Sequence, residues 1–135
     1  MDDVERYEAG MRVRREVLGD RHVDAAAAAT TAFTEDFQEL VTRYAWGAIW
    51  TRDGLDRHTR SCITLSMLAA LGHHEELAMH VRAAVRNGLT AAEIGEVLLQ
   101  VAVYAGVPAA NRAFAVANEV LAADGVVTPA RRPDE

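Results

Sequence analysis

Glycines at regular intervals divide the chain into segments whose apolar residues recur at helical spacing. Between these glycines, apolar side chains return every three or four residues, strand-like alternation is absent and Ala is abundant. The pattern predicts an all-α, single-domain bundle of about six helices. We expect the domain to cover residues 1–125 and a flexible tail to cover 126–135. The glycines that act as breaks are Gly19, Gly54, Gly72, Gly88, Gly106 and Gly125.

Capping residues and apolar spacing set the expected helix bounds. Asp56 is the expected cap of a helix that has apolar residues on several faces and should be largely buried. Thr90 and Glu93 have the spacing of a capping box. The predicted helices cover Asp2 or Asp3 to Leu18, a short helix or turn at 22–29, then 34–48, 56–71, 74–87, 90–105 and 108–123.

Composition narrows the classes of function. The chain has 135 residues, of which 50% are hydrophobic, enough for one domain with a core but too few for two. A net charge of -6 is a poor match for nucleic acid or an anionic membrane, so neither is expected as a partner. The sequence lacks a signal-peptide pattern and an apolar run of about 18 residues, and it has a single cysteine. These features favour the cytoplasm.

The basic residues are all arginine. The chain contains 14 Lys and Arg residues together, and every one of them is Arg. Schiff-base chemistry and pyridoxal phosphate attachment require a lysine amine, so both are excluded, as is a lysine P-loop. Any chemistry must therefore use His, Arg, carboxylates, Tyr or backbone groups.

The candidate acid–base group is His80, on the helix predicted at 74–87. Glu76 lies one turn before it on the same face and could orient its ring. Leu77 and Val81 belong to the apolar stripe, so His80 is expected at the edge of the core, where an imidazole can act as general acid or base. The alternatives are a solvated Glu–His pair and a metal site that adds His73.

Arginine and aromatic residues provide candidate anion-binding groups. Arg43 lies in a stripe with Trp46 and Trp50, which could clamp a planar anion or be only an interface or core edge. Arg57 and Arg60 lie in the first turns of the helix capped by Asp56. Their alternative is a salt bridge to an acidic neighbour. Two further positions are Tyr104, with Gln100, as a ligand wall or tight corner, and Cys62, as a structural thiol.

The sequence resembles the 4-carboxymuconolactone decarboxylases of the protocatechuate branch of the beta-ketoadipate pathway, from about Tyr7 to Phe114. Many matched segments in one order make the resemblance specific. The segments are Arg14-Arg15-Glu16-Val17-Leu18-Gly19-Asp20, His22-Val23, 37–47, Trp50-Thr51-Arg52, Arg60-Ser61, Glu76-Leu77, 80–84, Asn87-Gly88, Glu93-Ile94, 96–100 and 104–110.

The resemblance implies the helical alkylhydroperoxidase D-like fold, assembled as a hexamer, trimer of dimers or other ring. It also implies a carboxy-lyase that needs neither cofactor nor metal. Peroxidases of the wider superfamily have two cysteines before the helical histidine, and these positions correspond to His73 and Glu76 here. Neither is Cys, so the peroxidase chemistry is not expected.

The implied substrate is an unsaturated dicarboxylate lactone that loses carbon dioxide and gives beta-ketoadipate enol-lactone. His80 would be the proton donor and Glu76 its orienting partner. Arg43 or Arg60 would hold the acetate arm that stays on the product. The remaining expected site residues are Trp46 or Tyr104 as an apolar wall for the leaving carboxylate, and His22, from this or a neighbouring subunit.

Two other functions remain open at this stage. The protein could be a related decarboxylase or isomerase that acts on another small lactone or acid, since a fold and one histidine do not define the substrate. It could also be a non-catalytic oligomeric protein that binds small acids, with the Arg–Trp stripe as an interface.

Overall fold

The computed structural model describes residues 1–129, and within this range it contains α-helices, one π-helical segment and no strand. The all-α prediction is therefore confirmed, although the described range has seven α-helices rather than about six. The difference arises at 20–29, where the expected short helix or turn is a full helix. The elements are α1 (Asp3–Leu18), α2 (Asp20–Ala29), α3 (Glu35–Val41), a π-helix (Thr42–Trp50), α4 (Arg57–Leu71), α5 (His74–Arg86), α6 (Ala91–Tyr104) and α7 (Val107–Ala123).

The predicted caps at Asp56 and at Thr90 with Glu93 are confirmed. The Thr90 hydroxyl accepts a hydrogen bond from the Glu93 amide at 3.1 Å, and the Glu93 carboxylate accepts one from the Thr90 amide at 2.9 Å. Asp56 likewise accepts from the Thr59 amide at 2.7 Å, before the first turn of α4. These side chains satisfy amides that have no partner within their helix.

The described residues form two compact units, one over Met1–Arg60 and one from Ser61 onward. In the first, α1 packs against the π-helix, and Gly10 and Gly47 make this contact possible. A Cβ on Gly10 would overlap the Thr42 carbonyl oxygen and lie 2.8 Å from the Gly47 nitrogen. The absence of a side chain at both positions lets the two backbones touch.

The second unit is built around α7, which packs against α5 and α6. Its core is aliphatic, with Leu77 and Val81 of α5 and Ile94 and Leu98 of α6 almost completely buried. Val127 packs against this core, whereas the rest of the predicted tail, 130–135, lies outside the described residues. None of the described helices is both long and apolar enough to span a membrane.

The prediction that the helix at 56–71 is largely buried was wrong. Only Ser61, Leu65 and Ala69 of α4 are buried, on a single face. Met67 and Leu71 are 57% and 69% exposed. The apolar residues on the other faces of α4 therefore cover no core within the described chain.

The segment expected as one helix at 34–48 is an α-helix followed by a π-helix. Phe37, Leu40 and Tyr44, which follow helical spacing, are exposed, whereas Thr42 and Trp46 are buried. From Thr42 onward, hydrogen bonds run from residue i to i+5 and each turn contains more residues. The spacing of 3.6 residues therefore applies to Phe37 and Leu40 but no longer describes the face at Tyr44.

Candidate functional site

The predicted site residues fall in both compact units. His22, Arg43, Trp46 and Arg60 belong to the first unit, and Glu76, His80 and Tyr104 belong to the second. Each group is described within its own unit.

His80 lies on α5, half-buried, at the edge of the aliphatic core. Leu77 and Val81, its neighbours on the helix, are 1% and 0% exposed. The helix thus holds the imidazole where its hydration is reduced while one side remains accessible. This is the environment that the sequence predicts for an acid–base histidine.

Glu76 lies one turn before His80, on the same face of α5, and is exposed. Its role as the orienting partner of the His80 ring stays a prediction. No three His, Cys, Asp or Glu side chains in the described range form a group that could hold a metal ion, so His73, Glu76 and His80 do not converge.

Tyr104 is the last residue of α6 and is 82% exposed. Its role as a ligand wall or a tight corner stays a prediction. Its neighbours Val103 and Val107 are also exposed, at 75% and 69%. Tyr104 is thus part of an exposed apolar surface.

Arg43 and Trp46 lie in different surroundings. The Arg43 guanidinium carbon lies 5.2 Å from the centre of the Tyr7 ring, in a cation–π contact. Its Nη1 donates to the Glu39 carboxylate at 3.4 Å. Trp46 is only 4% exposed and packs against Trp50, with ring centres 5.2 Å apart. The burial of Trp46 matches the core alternative, and Arg43 already has a carboxylate partner.

The arginines near the start of α4 differ in their surroundings. Arg57 forms an ion pair with Glu16, with 2.6 Å between Nη2 and Oε2. This is the salt-bridge alternative predicted for that position. Arg60 is half-buried at the C-terminal end of the first unit.

His22 lies on α2 and is exposed. Partial loss of hydration lowers its pKa below the ordinary value, and the positive charge of Arg14 lowers it further. The imidazole is therefore held towards its neutral form.

Arg14 is a residue that the site prediction missed. It lies on α1, is only 9% exposed and faces α3 and the π-helix. A signal existed, because Gly10, Val13 and Val17 place position 14 inside the buried stripe of α1. An arginine in an apolar stripe requires a polar partner, and the adjacent Arg15 hides this pattern in the sequence.

Comparisons with known proteins define the family of the chain. A family model described as the carboxymuconolactone decarboxylase family matches residues 35–119, which is more than half of the chain. The chain is 48% identical, over 120 residues, to a protein of Acinetobacter baylyi named 4-carboxymuconolactone decarboxylase. The match covers 89% of this chain and 90% of that relative. The chain therefore belongs to the carboxymuconolactone decarboxylase family.

Two further relatives have informative names. A Metarhizium robertsii protein named nitrosuccinic acid decarboxylase is 41% identical over 115 residues, covering 85% of this chain and 80% of the relative. A Pseudomonas putida protein named 4-carboxymuconolactone decarboxylase is 53% identical over 47 residues, covering 35% of this chain and 98% of the relative. Relatives of this chain are thus named for decarboxylation of more than one acid.

Proposed function

We propose that the protein is a carboxy-lyase that converts 4-carboxymuconolactone into beta-ketoadipate enol-lactone and carbon dioxide. The observation that carries this proposal is the 48% identity, over 89% of the chain, to a relative named for this activity. A cytoplasmic place in aromatic catabolism is part of the same proposal.

The chemistry of the lactone explains how arginine, histidine and carboxylates suffice. When the bond to the departing carboxylate breaks, its electron pair moves through the ring alkene into the lactone carbonyl. The substrate is thus its own electron sink, and no lysine imine is needed. The enzyme must stabilise the developing oxyanion and deliver one proton to the ring carbon beside the carbonyl.

His80 is the proposed proton donor. Its support is its half-buried position on α5, between fully buried neighbours and solvent. An imidazole can give up a proton to a reacting carbon and recover one from water. Glu76, on the same face, is the proposed orienting group.

Replacing His80 tests this role. We expect His80→Gln to lower kcat for the lactone by about 10²- to 10⁴-fold, the usual contribution of general acid catalysis. The matched control is His73→Gln, an exposed histidine that immediately precedes α5, which should leave kcat unchanged. A folded His80→Gln protein with wild-type kcat would contradict the assignment.

A second candidate is decarboxylation of nitrosuccinic acid, favoured by the 41% identical relative named for it. Comparing kcat/KM for the two acids separates the candidates. The proposal predicts a higher value for the lactone, and the reverse order would favour the second candidate. Binding of either acid without release of carbon dioxide would instead favour a non-catalytic binding protein.

We also propose that the protein is a homo-oligomer, as a hexamer or trimer of dimers. Apolar residues at helical spacing are exposed in each unit, which is unusual for a surface that faces only water. Sedimentation velocity should give a mass several times that of the chain. The exposed residues are Phe33, Phe37, Leu40 and Tyr44 in the first unit, and Ile63, Met67 and Leu71 in the second.

A further inference from the structure

Arg14 is a buried cation that has only neutral partners. Its Nη1 donates to Thr42 Oγ1 at 3.4 Å, and its Nη2 donates to Gln38 Oε1 at 3.2 Å. Its Nε is fully buried and has no acceptor among residues 1–129. Because a buried charge is costly unless it is paired, this arrangement favours the binding of an anion beside the guanidinium.

Three carboxylates near Arg14 pair with other arginines. Arg15, the next residue, pairs with Asp20 at 3.1 Å and with Asp24 at 2.9 Å. Glu39 pairs with Arg43 at 3.4 Å. Arg14 thus differs from Arg15 and Arg43, since its hydrogen bonds go to an amide and a hydroxyl rather than to a carboxylate.

A cavity of about 240 Å³ lies beside Arg14 in the first unit. Val23 and Ala27 of α2 give it an apolar wall, and Gln38 and Thr42 give it a polar one. Its volume is below that of sites for drug-sized ligands, so it suits a small organic molecule.

The charges around the cavity limit the ligand further. Besides Arg14, it is lined by Arg15, Glu35 and Glu39, so its formal charges cancel. One carboxylate, placed against Arg14 with the rest of the molecule in the apolar part, fits this distribution best.

We propose that this cavity binds one carboxylate of a small organic acid, with Arg14 as its anchor, and that the acid is the substrate. Because the Nε is buried, the carboxylate would accept hydrogen bonds from the Nη groups of Arg14, whose present acceptors, at 3.2 and 3.4 Å, are neutral. The assignment to the substrate rests on the function proposed above.

The carboxylate held by Arg14 is the acetate arm that remains on the product. A strong clamp on the departing carboxylate would stabilise the ground state and oppose its loss. The sequence assigned this arm to Arg43 or Arg60. Because Arg43 contacts Glu39 and Tyr7, Arg14 is the better candidate.

Substitution of Arg14 tests the proposal with two ligands. The KM for the lactone is measured by turnover, and binding of succinate, which lacks the reactive ring, is measured by calorimetry. We expect Arg14→Gln to raise the lactone KM and weaken succinate binding by at least about tenfold each, as for loss of a charge-assisted pair. Arg12→Gln, an exposed change of the same charge on α1, is the control and should leave both within twofold.

A second variant covers the case in which Arg14→Gln does not fold. Ala27→Leu should fill part of the cavity from the exposed helix α2 and leave Arg14 in place. It should raise the lactone KM, whereas Ala28→Leu, on an exposed neighbour outside the cavity, should not.

The outcomes separate this inference from the proposed function. Wild-type protein that does not turn over the lactone would contradict the proposed function. Succinate binding would still test whether the cavity binds a carboxylate. An unchanged KM and unchanged succinate affinity in Arg14→Gln would overturn the inference, as would a wild-type protein that binds neither acid. Loss of succinate binding with an unchanged lactone KM would overturn the assignment of the cavity to the substrate.

Discussion

At the residue scale, the arginines differ in the groups that they contact. Arg15, Arg43 and Arg57 have carboxylates, and such exposed or half-exposed pairs contribute little to stability. Arg14 is buried against neutral groups, and burial lowers the pKa of its guanidinium, with Tyr7 opposing this effect. The same charge reaches His22 and disfavours its protonation.

His22 therefore reports on Arg14. We expect the His22 pKa, measured by NMR titration, to rise towards its ordinary value in Arg14→Gln, because the nearby positive charge is removed. It should remain somewhat low, since loss of hydration is the larger cause of the shift. Arg12→Gln should leave it unchanged, and an equal rise in both variants would contradict the local origin of the effect.

The sign of the stability effect follows from this shift. The unfolded chain binds a proton at His22 more readily than the folded chain does, because the folded pKa lies below the ordinary value of 6.5. The contribution of His22 to the free energy of unfolding is therefore complete above 6.5 and falls as the pH drops through the window below it. His22→Gln should reduce this acid-dependent loss in urea unfolding at several pH values.

At the element scale, the junction of α1 and the π-helix positions the Arg14 cavity. Thr42 is the first residue of the π-helix. Its hydroxyl donates a hydrogen bond to the Gln38 carbonyl at 2.8 Å and accepts one from Arg14. Gly10, one turn before Arg14, touches the same segment. The backbone contact and the polar contact thus fix one side of the cavity together.

The glycine contact predicts a pair of opposite mutational effects. Gly10→Ala should lower the free energy of unfolding by about 2 to 3 kcal/mol, because the new methyl group would press on backbone atoms that cannot move aside. Gly95→Ala is the control, since a Cβ on this helical glycine meets nothing within 4 Å. It should stabilise the protein by about 0.5 to 1 kcal/mol. Urea unfolding checks both, and a neutral Gly10→Ala would contradict the close approach.

Local signals predicted most of the helix bounds. The Thr90–Glu93 capping box and the break at Gly19 use side chains or backbone freedom that act within one turn, so the sequence displays them directly. The π-helix has no such signal, because no capping residue or residue spacing in the sequence marks its wider turn. The exposure of Phe37 and Met67 was missed for a related reason, since helical spacing shows that a face is apolar but not what covers it.

The site was predictable only in part. His80 could be selected because its helix neighbours mark the core edge, and the structure places it there. The contact of Arg43 with Tyr7 joins residues far apart in sequence, and spacing on one helix cannot reveal it. Arg14 can be found in the sequence only by searching for a charged residue within a buried apolar stripe.

At the scale of the whole molecule, the protein is a helical member of the carboxymuconolactone decarboxylase family, and the proposed substrate is its own electron sink. The protein then has to position one proton donor, hold one carboxylate of the substrate and keep the reacting ring away from bulk water. Its lysine-free composition agrees with this division of work, because imine chemistry is not required.

The most direct test is turnover by purified protein that has been treated with a chelator and dialysed. Given the lactone, it should release one carbon dioxide for each lactone consumed, at the rate of untreated protein, with the enol-lactone as product. The central claim would be contradicted if carbon dioxide appeared no faster than in a sample without protein, or if activity were lost with the chelator and returned with a metal ion.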